Sequence, residues 1–357
     1  MSAATASWER ERSATLFAGV PWEGVARLLG RAAELDDLRA HRLHLLEAAR
    51  RRELGQALPS EIEAEMRSAV RATLVTRSLL ARVREVCDGP ILVLKGPEVA
   101  AVYPAPWLRP YTDVDILVPD AHDAERRLRG AGFSGVGPPM DWDALHHVQR
   151  LASPDVLASV EVHRRPKWVL GGKAPTIDEL LSDAVPSATG IDGLLAPSRG
   201  HHAVLLAAHA WAERPLGRLG DLVDVAAMLA VDADEAEELA HRYGIQRVWR
   251  ATLAAIDAVL VRDRRTWSTI TWARHLPQVR ERTVLETHVA RLLEPFASRP
   301  PRQALAGLLR GLRLTLLPHR GEGWPAKVER SRKAIRAARA PVSDHRDALE
   351  GESEDVS

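Results

Sequence analysis

ILVLKGPEVAAVYPAPWLRPYTDVDILVP, residues 91–119, is the stretch whose reading decides the fold. Two apolar runs, 91–94 and 116–118, read as short buried strands. Between them lie Lys95 and Gly96, a helix-length segment, Arg109, and the pair Asp113 and Asp115. Side chains alternate across a strand, so Asp113 and Asp115 project from one face and Val114 from the other. Two carboxylates fixed side by side repel unless a positive charge sits between them, and a divalent cation on a phosphate substrate is the usual answer. The plainer alternative is a solvated strand end or a turn cap, since Pro110, Tyr111 and Thr112 resemble a turn. Acids placed after a Lys-Gly turn and before Leu117 and Val118 exceed what capping requires.

The order strand, Lys-Gly, helix, Arg, Asp-x-Asp on a second strand resembles the uncharacterised nucleotidyltransferase family of the polymerase-β-like superfamily. The resemblance covers roughly residues 60–230. Lys95-Gly96 stands where many superfamily members carry Gly-Ser. The resemblance implies a third carboxylate on a later strand, and residues 158–163, ASVEVH, offer Glu161 with His163 two positions on and on the same face. It often has Asp where this chain has Glu. The fold implied is α/β (α+β), a small mixed sheet flanked by helical regions on both sides. The activity implied is transfer of a nucleoside monophosphate from an NTP to an acceptor hydroxyl with release of pyrophosphate, assisted by Mg²⁺ or Mn²⁺. Asp113, Asp115 and Glu161 would then hold the metal, and Glu161 could assist deprotonation of the attacking hydroxyl. For Glu161 the alternative is an exposed strand residue paired with Arg164 or Arg165.

Gly96 would let the backbone approach a phosphate, with the helix start at Pro97 and Glu98 presenting free amides to that anion. Lys95 would add a point charge to the phosphates, or else merely end a strand in water. Arg109 either neutralises the acidic pair or contacts the triphosphate. His163 is a site residue or a hydrogen-bonded structural one. His209 and Asp221 form a second tier. A carboxylate on the apolar segment 219–229 needs a partner, which could be Arg218, a helix–helix hydrogen bond or the acceptor side of the cleft. Clustered acids should raise the pKa of at least one member, so Asp115→Asn is expected to relieve repulsion and preserve or improve metal-free stability.

At 357 residues and net charge +1, the chain can bury a full core and declares no polyanionic partner through charge alone. The single Cys87 excludes an intramolecular disulfide or a multi-Cys metal site. His146-His147 and His201-His202 do not read as zinc ligands, because adjacent side chains point apart. No Walker, dinucleotide or Ser-His-Asp signature is visible. With no signal segment and no apolar run near ~20 residues, the expectation is a cytoplasmic protein without membrane contact. In residues 299–339 eleven Lys and Arg face two Glu, a surface that could meet nucleic acid. Aromatic interleaving is confined to Trp324, so a solvated helix face is favoured.

Four segments follow: helical residues 1–88, an α/β core at 89–197, a helical region at 198–340, and a disordered acidic tail at 341–357. The first should hold two or three helices; helices are expected near 120–130, 201–213, 219–229, 234–242, 245–262, 279–295, 302–316 and 325–340. Residues 147–151 and the Glu161 strand should form a hairpin through a turn at 154–155. The partners implied are a nucleoside triphosphate and an acceptor that could be a small molecule, a peptide or RNA. Two alternatives remain open: a non-catalytic nucleotide-binding or partner protein retaining the fold, and a toxin-like enzyme that modifies RNA.

Overall fold

Helical apolar spacing before residue 87 gives way to β-branched runs after residue 90, and the computed structural model changes from helix to sheet at that point. The structure describes residues 21–31, 35–136, 146–154, 158–169, 171–230, 234–262, 264, 266–318 and 322–342. Expectations for residues 1–20, 138–143, the 154–155 turn beyond Pro154 and the tail beyond 342 lie outside them. Among the described residues four helices, not two or three, precede the sheet: α1 (Trp22–Leu29), α2 (Leu35–Ala40), α3 (His44–Glu53) and α4 (Ser60–Val86). Helix α4 starts after Pro59 with Glu61 and Glu63 in its first turn, where carboxylates complement the helix dipole.

The sheet is mixed, with strand order β3-β4-β5-β2-β1-β7-β6 among the described residues. Its strands are β1 (Ile91–Val93), β2 (Asp113–Leu117), β3 (Ser134–Gly135), β4 (Leu151–Ala152), β5 (Ser159–His163), β6 (Val185–Pro186) and β7 (Leu194–Ala196). Strand β1 runs antiparallel to β2 and parallel to β7, while β2 runs parallel to β5. The hairpin of β4 and β5 forms, but its first strand is shorter than 147–151. His147 bridges His163, yet Leu151 pairs with Val160, so one extra residue bulges between the two registers.

The segment after Gly96 is not a full helix. One turn, α5 (Pro97–Ala100), gives way to a 3₁₀ turn at Pro106–Leu108, because Pro104, Pro106 and Pro110 block continuation. Helix α6 (Ala121–Gly130) is capped by Asp120, whose carboxylate accepts the Asp123 amide at 2.9 Å. Helix α7 (Ile177–Ser182) and the β6–β7 hairpin were too short to show a period in the sequence.

Beyond the sheet run α8 (Arg199–Glu213), α9 (Leu219–Leu229), α10 (Asp234–Arg242), α11 (Gln246–Ile256), α12 (Trp267–Trp272), α13 (Val284–Ser298), α14 (Pro301–Leu316) and α15 (Trp324–Ala337). Helix α12 is an addition, and the helix expected across 245–262 becomes a π-helix at Asp257–Val261. The largest core joins Trp22, Leu28, Leu38 and Leu46 to Val204, Trp211, Val223 and Trp249, so the first helices and those after the sheet bury one shared interior. A second core fills one face of the sheet, with Val114, Ile116, Val160 and Val162 against Leu79, Leu80 and Val83 of α4 and Leu128 of α6. No described helix is long and apolar enough to cross a membrane.

Candidate metal and phosphate site

Because even-numbered residues of β2 and β5 face α4 and α6, the odd-numbered ones face the opposite side, where Leu117 meets Leu205 of α8. The parallel register places Asp115 directly beside Glu161, Leu117 beside His163, and Asp113 beside Ser159. His163 Nε2 lies 3.6 Å from Asp115 Oδ1 and 3.7 Å from Glu161 Oε2. Both separations exceed hydrogen-bond reach. Both ring nitrogens of His163 are buried and lack a hydrogen-bond partner. Ligand atoms of Asp115, Glu161 and His163 lie within 4.8 Å of one another. A buried imidazole with two unsatisfied nitrogens beside two carboxylates is unfavourable as it stands, and a cation held by all three would give its Nε2 a partner. One nitrogen and two carboxylates suit a divalent first-row ion, and the oxygens also suit Mg²⁺. The residues therefore fit the metal.

Asp113, Asp115 and Glu161 all line one cleft of about 770 Å³. Asp113 stands outside the tightest triad, in which His163 takes its place, and its Oδ2 is 3.9 Å from an Arg150 Nη1. Burial and then Asp115 raise the Asp113 carboxyl. Burial, Asp115 and Asp113 together push Glu161 up to about 7. For Asp115 burial acts upward, but His163 and Lys95 prevail and hold it well below the usual carboxylate range. This reverses the expectation for Asp115→Asn: Asp115 is the favourably placed charge, and Glu161 carries the repulsion.

Lys95 turns into the same cleft, where its Nζ donates to His209 Nδ1 at 2.7 Å. Burial lowers the ammonium pKa, while the Asp115 charge opposes that shift. Burial and the neighbouring Lys95 keep His209 neutral, far below its ordinary value, so accepting at Nδ1 leaves the proton on Nε2. Gly96 has φ +69°, which L side chains rarely adopt; the nearest atom a Cβ would meet is Asp113 O at 3.4 Å. Conformation, more than space, requires glycine there.

Arg109 lines the cleft but is committed elsewhere. Its Nε and Nη2 donate to Asp224 Oδ1 and Oδ2, each at 2.8 Å, and Tyr103 donates to Oδ1 at 2.7 Å. It does not neutralise Asp113 or Asp115. Asp224 was legible only as one of two acids in the apolar run of α9. The other, Asp221, does not line the cleft, and Arg218 bonds Glu213 at 3.3 Å rather than Asp221. Burial raises the Asp221 carboxyl against the pull of Arg218 and Arg42. Sequence reasoning missed Arg42, Lys167 and Glu213, which also line the cleft from loops and helix ends with no motif around them.

The model of a family described as uncharacterised nucleotidyltransferases matches residues 34–260. That span covers most of the chain, from α2 through α11. No curated protein and no solved structure matches it. The chain belongs to the uncharacterised nucleotidyltransferase family.

Proposed function

With that family membership as the premise, we propose that the protein is a metal-dependent nucleotidyltransferase. The acceptor hydroxyl oxygen attacks the α-phosphorus of an NTP, the bond to the β-phosphate oxygen breaks, and pyrophosphate leaves. Asp115, Glu161 and His163 would hold the cation, Mg²⁺ or Mn²⁺, with Asp113 beside them. When bound, the metal supplies charge neutralisation on the phosphates and lowers the pKa of the hydroxyl. The chain's own part is positioning. Lys95, braced by His209, presents a cation beside Asp115, and the Gly96 turn keeps the backbone close. Glu161, beside Asp115 in the register, would accept the hydroxyl proton.

The observation that carries this reading is His163, buried with both nitrogens unsatisfied between two carboxylates. The adjacency of Glu161 to Asp115 also favours catalysis over a module that merely binds nucleotide. The test incubates the protein with each α-³²P-labelled NTP, with and without Mg²⁺ or Mn²⁺, against small-molecule, RNA and protein fractions of a lysate. Metal-dependent label on one fraction, absent with Asp115→Asn, is the expected result. Label that appears equally without metal, or none with any nucleotide, would sink the proposal. The fraction that takes label separates a small molecule, a peptide and RNA as acceptor.

A further inference from the structure

Helix α2 ends in a Schellman motif. The Arg42 amide donates to Arg39 O at 2.9 Å and the Leu43 amide to Leu38 O at 2.8 Å. Leu38 and Leu43, the pair whose contact usually seals this cap, are both fully buried in the shared core. The residue between the helix and Leu43 must be left-handed, and Arg42 has φ +60°. Glycine, or failing that asparagine, fills such a position without strain. An arginine there raises the question of what its side chain does.

Neighbouring arginines are occupied. Arg39 bonds Asp36, Glu61 and Glu65, and Arg50 and Arg51 both bond Glu47. The exposed Arg42 side chain forms no hydrogen bond or ion pair among the described residues, yet it lines the cleft with Lys95, Asp113 and Asp115. Its charge lowers the carboxyls of Asp113, Glu213 and Asp221 without pairing any of them. A solvated arginine near a helix C-terminus is favourable anywhere in the last turn, so the dipole does not select the strained position. A strained backbone that aims an unpaired cation at a cleft is what binding sites retain.

We propose that Arg42 binds the polyphosphate of the nucleotide, delivered from the N-terminal helices across the cleft from the sheet. The inference rests on the nucleotidyltransferase reading and adds to it a phosphate ligand outside the sheet. A guanidinium can take two phosphate oxygens at once, which the lone ammonium of Lys95 does not. The strain at φ +60° is then retained because glycine and asparagine, which fit the cap without strain, bring no charge to the phosphates.

Calorimetric titration of the full chain with ATP, GTP, CTP and UTP, each with Mg²⁺, tests this alongside thermal unfolding. In Arg42→Asn, a residue that tolerates the left-handed region, the melting temperature should rise by roughly 2 °C. Nucleotide Kd should rise about 10- to 150-fold, the loss expected for one charge-assisted contact. Arg42→Lys should keep the wild-type melting temperature and recover part of the affinity. Wild-type binding that Arg42→Asn leaves unchanged overturns the inference alone, and so does a fall in melting temperature that accompanies the lost affinity, since Arg42 would then serve the fold. A wild-type chain that binds none of the four overturns the nucleotidyltransferase reading itself, and Arg42 with it.

Discussion

Among the described residues two places bring a histidine and two carboxylates within ligand distance: Asp115, Glu161 and His163 in the sheet, and Asp183, His201 and Glu235 where α8 and α10 meet. Residue types alone do not tell them apart. Their hydrogen bonds do. His201 is saturated, with Ser198 Oγ 3.1 Å from Nδ1 and the Tyr243 hydroxyl 3.1 Å from Nε2. His163 has no hydrogen bond on either nitrogen, and its Nε2 faces the Asp115 and Glu161 carboxylates at 3.6 and 3.7 Å. Asp183 is exposed, whereas Asp115 is buried beside Glu161 with Lys95 close by. Buried polar groups are for the most part satisfied within a fold, and of these two triads it is the sheet one whose histidine lacks a hydrogen bond. The lesson is that unmet hydrogen-bonding capacity marks a site better than a count of ligand types.

The comparison breaks first at Asp115. Asp115→Asn should lower metal-dependent transfer on the order of 1,000-fold, about 4 kcal/mol of lost charge stabilisation. It should also lower the melting temperature, because Lys95 loses the charge that opposes its burial. Asp183→Asn should do neither. Pyrophosphate release and thermal unfolding measure both effects, and a stable, active Asp115→Asn protein would leave the sheet triad no different from the helical one.

The pH dependence sharpens the contrast next. Glu161 has a folded pKa of about 7 against an ordinary 4.5. Its protonated form is therefore the one the metal-free fold favours. The stability it contributes is fully present below about pH 4.5 and is lost as pH rises through 7. The upper bound is on the order of 3 kcal/mol. Unfolding measured from pH 4.5 to 8 should show a steeper loss in wild type than in Glu161→Gln. Mg²⁺ should restore wild-type stability at the alkaline end, because cation binding displaces the proton, and should not restore the variant as fully. Parallel curves for the two proteins would place Glu161 away from the cluster's repulsion.

Much of this was legible beforehand. The β2 and β5 strands, the facing of Asp113 and Asp115, and the helix near 120–130 follow from period-2 and period-3.6 patterning with their flanking residues. What the sequence concealed is pairing across distance. Arg109 looks as though it should serve the acids four and six residues on, but α9 offers Asp224 at the angle its planar fork requires. Asp115 looks repelled until His163 and Lys95 are placed against it. Arg42 carried no signal at all, since a left-handed arginine reads in sequence as one more charge in a helical region. Pro104, Pro106 and Pro110 shorten the helix expected after Gly96 to one turn.

His163→Phe should weaken Mn²⁺ affinity about 10- to 100-fold, taking the range seen when a metal site loses a supporting group as the minimum. His201→Phe should leave that affinity unchanged.

The smallest effect is the one that most directly tests the comparison, because the same substitution should have unequal effects at its two positions. Phenylalanine keeps an aromatic ring and removes both nitrogens. At position 201 the change removes the bonds to the Ser198 and Tyr243 hydroxyls, so metal-free stability should fall by about 1 kcal/mol. At position 163 no hydrogen bond is lost, since none exists, and two desolvated nitrogens are replaced by apolar edge. Metal-free stability of His163→Phe should therefore fall less than that of His201→Phe, the loss being confined to the pull of His163 on the Asp115 carboxylate. Denaturant unfolding in the presence of a chelator reads both variants against wild type. Equal destabilisation at the two positions would mean that His163 is held by the fold as His201 is, and the sheet triad would lose the property that distinguishes it.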